Sequence, residues 1–205
     1  MLTRGNYQRG FTLIEIMIAL VIVSILLFAA APAFTAWIQN TRIRTTGDSI
    51  LTGLQLARAE AVRRNTPMSL SLTDSADNTC ALSTAGTSWV ISQANPAGAC
   101  GTAPSDTAAP PDPRIFQTRT ASEGSGNTTV AAQDSVFTYN GMGRLTAAPT
   151  APGNIDIRNP AGGACAPGGP MRCLRIVVSL GGLGNLGGLA RMCDPARPNT
   201  DPQGC

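Results

Sequence analysis

The sequence predicts an α+β protein: one long N-terminal helix packed on a small, mostly antiparallel β-sheet domain. Three observations carry this. Residues 16–38 hold no charged side chain, and about 20 apolar residues suffice to cross a bilayer core. From residue 41 to residue 65 apolar side chains recur every three or four positions, the period of a helix face. Beyond Pro67 the chain breaks into short alternating runs separated by glycine and proline, the pattern of strands and turns.

Taken in order, residues 1–10 carry Arg4 and Arg9 and no acid. Positive charge ahead of an apolar run keeps that end in the cytoplasm. The membrane-crossing half of the helix is expected over residues 11–38 and an amphipathic half over residues 39–65. Two residues stand out in the first half. Glu15 is an acid at the edge of lipid, where a carboxylate is expensive and defaults to a functional reading. Pro32 removes one helix hydrogen bond and bends the axis, which membrane helices tolerate. Trp37, near the outer end, reads as an interfacial anchor.

In the second half Ile43, Gly47, Ile50, Leu54, Ala57 and Ala61 form the apolar stripe. Glu60 and Arg64 make a favourable i,i+4 pair. Gly47 and Gly53 each weaken a helix by about 1 kcal/mol, so this half depends on packing. Asn65 and Pro67 stop it. An ordinary secretory signal, cut after Ala29-Ala30-Ala31, is the plainer reading of the same N-terminus. Three features oppose it: the acid at Glu15, an apolar run that continues through Phe34, Trp37 and Ile38, and a helical pattern that does not stop there.

Residues 66–205 make the β domain. Strands are expected over residues 68–72, 88–92, 114–118, 128–132, 135–139, 142–145 and 155–158, with the strongest over 173–180 and its return over 189–193. Residues 95–113 and 146–170 are loops rich in proline, glycine and alanine. Asn140-Gly141 marks a tight turn, and the glycine-rich residues 181–188 a flexible hairpin loop. Six cysteines, Cys80, Cys100, Cys165, Cys173, Cys193 and Cys205, all follow the apolar segment. None has C-x-x-C spacing and the chain has no histidine, so a zinc site is disfavoured. An even number beyond a membrane segment reads as disulfides in an oxidising compartment. Fifteen pairings are open. Cys80 with Cys100 would close a Gly/Pro-containing loop, and Cys193 with Cys205 would pin the C-terminal tail.

No catalytic constellation is present. Serines are common, but no histidine exists to activate one. Asp74, Asp77, Asp106, Asp112, Asp134 and Asp156 are scattered through loops and read as solvated turn residues. No enzyme activity, metal or cofactor is expected.

The segment Gly10-Phe11-Thr12-Leu13-Ile14-Glu15 resembles the type III signal of type IV pilins and type II secretion pseudopilins. The resemblance implies cleavage between Gly10 and Phe11 by the membrane prepilin peptidase, with loss of residues 1–10 and N-methylation of Phe11. Pro32 matches the helix-kinking proline of this superfamily. Residues 54–72, LQLARAEAVRRNTPMSLSL, resemble the GspH/FimT family of minor pilins, where such a helix end leads into the first strand. Residues 137–143 (FTYNGMG) and 175–195 resemble its mid-domain strand and C-terminal hairpin. The implied protein is a minor pilin of a type IV pilus with a pilin-like fold. It waits in the bacterial inner membrane with its β domain in the periplasm, then enters the pilus or its initiating tip complex and supports twitching motility. The implied partners are the prepilin peptidase, the inner-membrane assembly platform, and the major and other minor pilins through the N-terminal helix. A type II secretion pseudopilin is the alternative within the class.

Within this reading Glu15 acquires a role. Cleavage creates an amine at Phe11, and the Phe11 ammonium of a neighbouring subunit can neutralise the Glu15 carboxylate as helices pack side by side. Only one axial stagger satisfies both charges. The plainer alternative is that Glu15 snorkels to the headgroups. Some FimT-like members bind DNA through a Gly-Arg-x-Arg motif at the C-terminal hairpin. The matching residues here are Gly188, Leu189, Ala190 and Arg191, so the first arginine is missing. Arg172, Arg175, Arg191 and Arg197 are the candidate DNA contacts. Asp194 and Asp201 dilute that patch, no aromatic residues interleave it, and solvated arginines on strands are the favoured reading.

Overall fold

The computed structural model describes residues 10–105, 107, 113–120, 126–147, 153–179 and 187–205. Arg4, Arg9, Asp106, Asp112 and most of the glycine-rich loop at 181–188 lie outside the described residues.

Helix α1 runs unbroken over Leu13–Arg64, 52 residues, or about 78 Å at 1.5 Å per residue. Thr12 caps its start: its Oγ1 accepts from the Glu15 backbone N–H at 3.3 Å. Pro32 lies inside the helix and does not end it. Asn65 ends it in the left-handed conformation, φ 49°, and its N–H reaches the carbonyls of Ala61 and Val62. Asparagine tolerates that backbone better than most residues, and it leaves Pro67 to lead into the first strand.

The β domain is two antiparallel sheets rather than one. The first contains β1 (Met68–Thr73), β2 (Ser88–Ser92), β3 (Ile115–Arg119), β5 (Val136–Tyr139) and β6 (Leu145–Ala147), in the order β3-β2-β1-β5-β6. The second contains β4 (Thr129–Ala132), β7 (Gly153–Arg158), β8 (Leu174–Val178) and β9 (Ala190–Cys193), in the order β4-β7-β8-β9. Strand β1 sits at the centre of the first sheet, with Leu70 opposite Ile91 on one side and Phe137 on the other. All six residues of β1 and all five of β2 are buried. The expected strand over 142–145 begins only at Leu145. Residues 141–144 are turn: Asn140 Oδ1 accepts from the backbone N–H groups of Met142 and Arg144, both at 3.0 Å. Gly143 completes that turn at φ 72°, a backbone open to glycine and strained for most side chains.

The helix crosses both sheets with one stripe. Ile43, Ile50, Leu54, Ala57 and Ala61 are all fully buried. The two glycines explain why the stripe sits so close. A Cβ at Gly47 would stand 2.7 Å from Met192 Sδ, and one at Gly53 would stand 2.7 Å from Leu70 Cδ1 and 3.1 Å from the Trp89 ring. Gly47 therefore admits the second sheet and Gly53 the first, and the propensity each loses is offset by dispersion contacts. Trp89 is held from its polar end as well, its Nε1–H donating to Ser49 Oγ at 3.1 Å. Disulfides join Cys80 to Cys100, Cys165 to Cys173 and Cys193 to Cys205, so every cysteine is paired.

The C-terminal turn of α1 is fastened by charge. Glu60 is 8% exposed and its Oε2 receives Arg63 at 2.6 Å and Arg64 at 2.9 Å. Arg64 in turn lies over the Phe116 ring of β3, 4.9 Å from its centroid. The hydrogen bonds from Arg63 chiefly, helped by those from Arg64, hold the Glu60 carboxyl below its ordinary value despite burial. A depressed folded-state value contributes stability above the unfolded carboxylate range, lost as pH falls below about 4.5 and through the folded value. Glu60→Gln is accordingly expected to destabilise the full chain by about 1–2 kcal/mol at pH 7. Thermal melting in detergent micelles should show that deficit shrink as pH falls below the ordinary carboxylate range.

Candidate processing and assembly site

Through Thr35 the first half of α1 is exposed along its whole length. Its most apolar 18-residue window has a mean hydropathy of 2.9 and none of it is buried. Phe11, Leu13 and Phe28 are 79%, 79% and 87% exposed. Each large apolar side chain left in water forfeits roughly 1.5–3 kcal/mol, so a stripe this long requires lipid or other helices around it. The helix is long and apolar enough to cross a membrane. Its few hydroxyls suit that surrounding. Ser24 donates to the Leu20 carbonyl at 2.7 Å, Thr35 to Pro32 at 2.8 Å and Thr41 to Trp37 at 2.9 Å. No side-chain hydroxyl of this set needs water.

Against this background Gly10, Phe11 and Glu15 form one exposed cluster at the tip. A Cβ at Gly10 would meet nothing within 4 Å among the described residues, and Gly10 and Phe11 are both exposed. Phe11 precedes the helix, Thr12 caps it, and Glu15 lies in its first turn. Glu15 is the sole ionic side chain between Gly10 and Gln39, and it too is exposed. The helix dipole favours a carboxylate there by a fraction of a kcal/mol up to about 1 kcal/mol. That is too little to offset transfer of an unpaired carboxylate into lipid, about 2.5–3.5 kcal/mol on insertion scales.

The sheet domain takes hold of the helix around Gln39 and Asn40. Asn159 Nδ2 donates to Gln39 Oε1. Asn40 accepts the Arg172 backbone N–H at 2.7 Å and donates to the Pro170 carbonyl at 3.5 Å. At the far end Arg58 Nε donates to the Gly143 carbonyl at 2.9 Å, and Gly141 lies so close to Asn65 that a Cβ would stand 2.4 Å from its Oδ1. The residues of the ARAEAVRRN stretch thus dock the helix end onto the β5–β6 turn and β3. Sequence periodicity gave no sign of Gln39, Asn40 or Arg58 as clamps, because each reaches a loop more than 80 residues away in the chain.

The four candidate DNA-contacting arginines do not form a free patch. Arg175 pairs with Asp156 at 2.7 Å. Arg197 pairs with Asp201 at 2.9 Å and Asp194 at 3.6 Å. Arg191 donates to the carbonyls of Gly204 and Cys205 at 3.2 and 3.5 Å. Arg172 is exposed. Among the described residues no group of three His, Cys, Asp or Glu side chains could hold a metal ion.

An uncovered apolar half-helix, led by an exposed Gly-Phe pair and continued by a half packed on two antiparallel sheets, defines a subunit of the pilin and pseudopilin class. Such subunits are structural. The chain belongs to the family described as type II transport protein GspH, whose model matches residues 46–182. The prokaryotic N-terminal methylation motif matches residues 5–31. No curated protein matches the chain in sequence. Among solved structures it is similar to the type IV minor pilin FimU of Pseudomonas aeruginosa strain PAO1 in two crystal forms. Identity is 14% in both; the alignments cover 79% and 82% of this chain and 98% of FimU, with TM-scores of 0.43 and 0.45.

Proposed function

We propose that this chain is a minor pilin of a type IV pilus. It is inserted in the inner membrane with residues 11–38 across the bilayer and residues 66–205 in the periplasm. Prepilin peptidase removes residues 1–10 and Phe11 is methylated. The assembly platform then moves the subunit into the pilus or its tip complex, where its helix packs beside those of the major and other minor pilins. The observation that carries the reading is the exposed apolar half of α1 bearing one carboxylate, Glu15, four residues after the future N-terminus. Pro32 supplies the bend that fits such a helix into a bundle.

Intact mass and N-terminal sequencing of the mature protein are expected to give methylated Phe11 as the first residue. A start at Pro32 would overturn the reading in favour of an ordinary secretory signal. One observation favours a second reading, a pseudopilin of type II secretion: the matching family is described as a type II transport protein. Deletion of the gene decides between them. Loss of twitching with secretion intact supports the pilus, and loss of enzyme secretion with twitching intact transfers the chain to the secretion machine. A DNA-uptake role draws less support, because Leu189 replaces the first arginine of the motif and three of the four candidate arginines are engaged within the domain.

A further inference from the structure

We infer that the foot of the sheet domain carries a binding site for the phosphodiester of an anionic phospholipid headgroup. This rests on the reading of residues 11–38 as membrane-spanning. The site is a cavity of about 570 Å³ between α1 and the edge of the second sheet, with Trp37 and Asn40 at its base and Arg44, Arg172 and Met192 on its walls.

Its height decides what can enter. Trp37 is 63% exposed, stacks on Phe34 with ring centroids 5.9 Å apart, and closes the apolar run, so it belongs at the headgroup level. Asn40 stands about 4–5 Å above it along the axis and Arg44 about 10 Å above it. The polar zone of a leaflet is roughly 5–7 Å deep. Arg44 pairs with Asp48, one turn farther from the membrane, and its long exposed side chain reaches down to the headgroups when that pair yields. Arg172 is fixed at the level of Asn40, because the Asn40 side chain accepts its backbone N–H at 2.7 Å. The helix and the pinned loop therefore place both arginines within side-chain reach of the headgroups.

The charges suit a phosphodiester. The Arg44 side chain is 75% exposed, and its ion pair with Asp48 at 3.7 Å is long and between exposed partners, so it yields readily to a competing anion. Arg172 is exposed. The acid on the cavity wall, Asp194, faces Arg197 at 3.6 Å and accepts the Ala196 N–H at 2.9 Å, so its charge is already answered. Guanidinium groups bind phosphate oxygens in a bidentate geometry. Met192 and Leu174 supply an apolar wall for the glycerol backbone. The arrangement would hold the sheet domain down on the bilayer before extraction into a filament.

Native mass spectrometry of the full chain in detergent micelles tests this, with phosphatidylglycerol titrated against phosphatidylcholine. The wild type is expected to retain phosphatidylglycerol preferentially. Arg44→Gln and Arg172→Gln should each weaken retention about fivefold. Arg144→Gln, which removes an exposed charge at the opposite end of the domain, should not. Equal retention by all three variants and the wild type overturns the site. So does displacement of the lipid by millimolar inorganic phosphate, which would mark a site for a soluble anion. Flotation with vesicles distinguishes the headgroup site from the membrane anchor beneath it. A chain that floats but retains lipid without regard to Arg44 and Arg172 refutes the headgroup site alone, and a chain that does not float refutes the membrane reading beneath it.

Discussion

Glu15→Gln should give a protein that is cleaved and methylated at Phe11 yet reaches the filament at less than a tenth of the wild-type level. The expectation follows from two costs. Glu15 is exposed on a helix whose apolar surroundings must be lipid or neighbouring helices. An unpaired carboxylate there costs several kcal/mol. In the proposed filament the Phe11 ammonium of an adjacent subunit, made only by cleavage, would offset that cost. At about 4 Å and an effective dielectric of 20 the attraction is roughly 4 kcal/mol, of which a fraction suffices for a tenfold bias. Glutamine keeps the shape and removes the charge, so the subunit inserts in the membrane at least as easily and loses only the partner's pull. Gly10 and Phe11 are unaltered, so processing continues. Immunoblots of sheared filaments and of membranes, with N-terminal sequencing of both, separate the two steps. Wild-type incorporation of the glutamine variant would refute the register role and leave Glu15 as a headgroup snorkeler.

Most of the helix was legible in the sequence because its signals are local. The uncharged run, the three- and four-residue stripe and the Asn65 stop all lie within one continuous segment, and each maps onto a structural feature of α1. The β domain was legible strand by strand and not as a whole. Its strands are short, and whether two runs share a sheet depends on partners far apart in sequence. Strand β4 pairs with β7, not with β5 four residues later, so the division into two sheets left no local mark. The strand expected over 142–145 failed for a different reason. Asn140-Gly141 announces a turn, but the Asn140 side chain binds two backbone N–H groups and prolongs the turn to Arg144. The glycines at 47 and 53 read as flaws in a helix and proved to be the points where Met192 and Trp89 come close. For the proposed site, Gly10, Phe11 and Glu15 could be named because the methylation motif is one continuous stretch of sequence. The clamps at Gln39, Asn40 and Arg58 were invisible because their partners are loop backbone and an asparagine side chain.

Phe137→Ala is expected to cost the sheet domain about 3–5 kcal/mol. Phe137 lies on β5 opposite Leu70 at the centre of the first sheet, and both are fully buried in the same cluster as Leu54, Ala57 and Ala61 of the helix. Truncation leaves a cavity under the helix that the close approach at Gly53 cannot relax, since Leu70 and Trp89 are already in contact there. With total stabilities of roughly 5–15 kcal/mol, a domain of this size should melt about 10 °C or more below the wild type. Leu189→Ala, at a residue 48% exposed, serves as the control and should fall within about 0.5 kcal/mol. The informative readout is the comparison with Glu15. Gly10 and Phe11 lie more than 50 residues before β1 along a helix that needs no sheet to form its tip, so Phe137→Ala should be cleaved and methylated normally while its β domain is degraded. Glu15→Gln should leave the β domain folded and its melting temperature unchanged while incorporation is lost. If Phe137→Ala blocked cleavage, the tip and the sheet domain would be coupled, and the separation of processing, anchoring and assembly along α1 would fail.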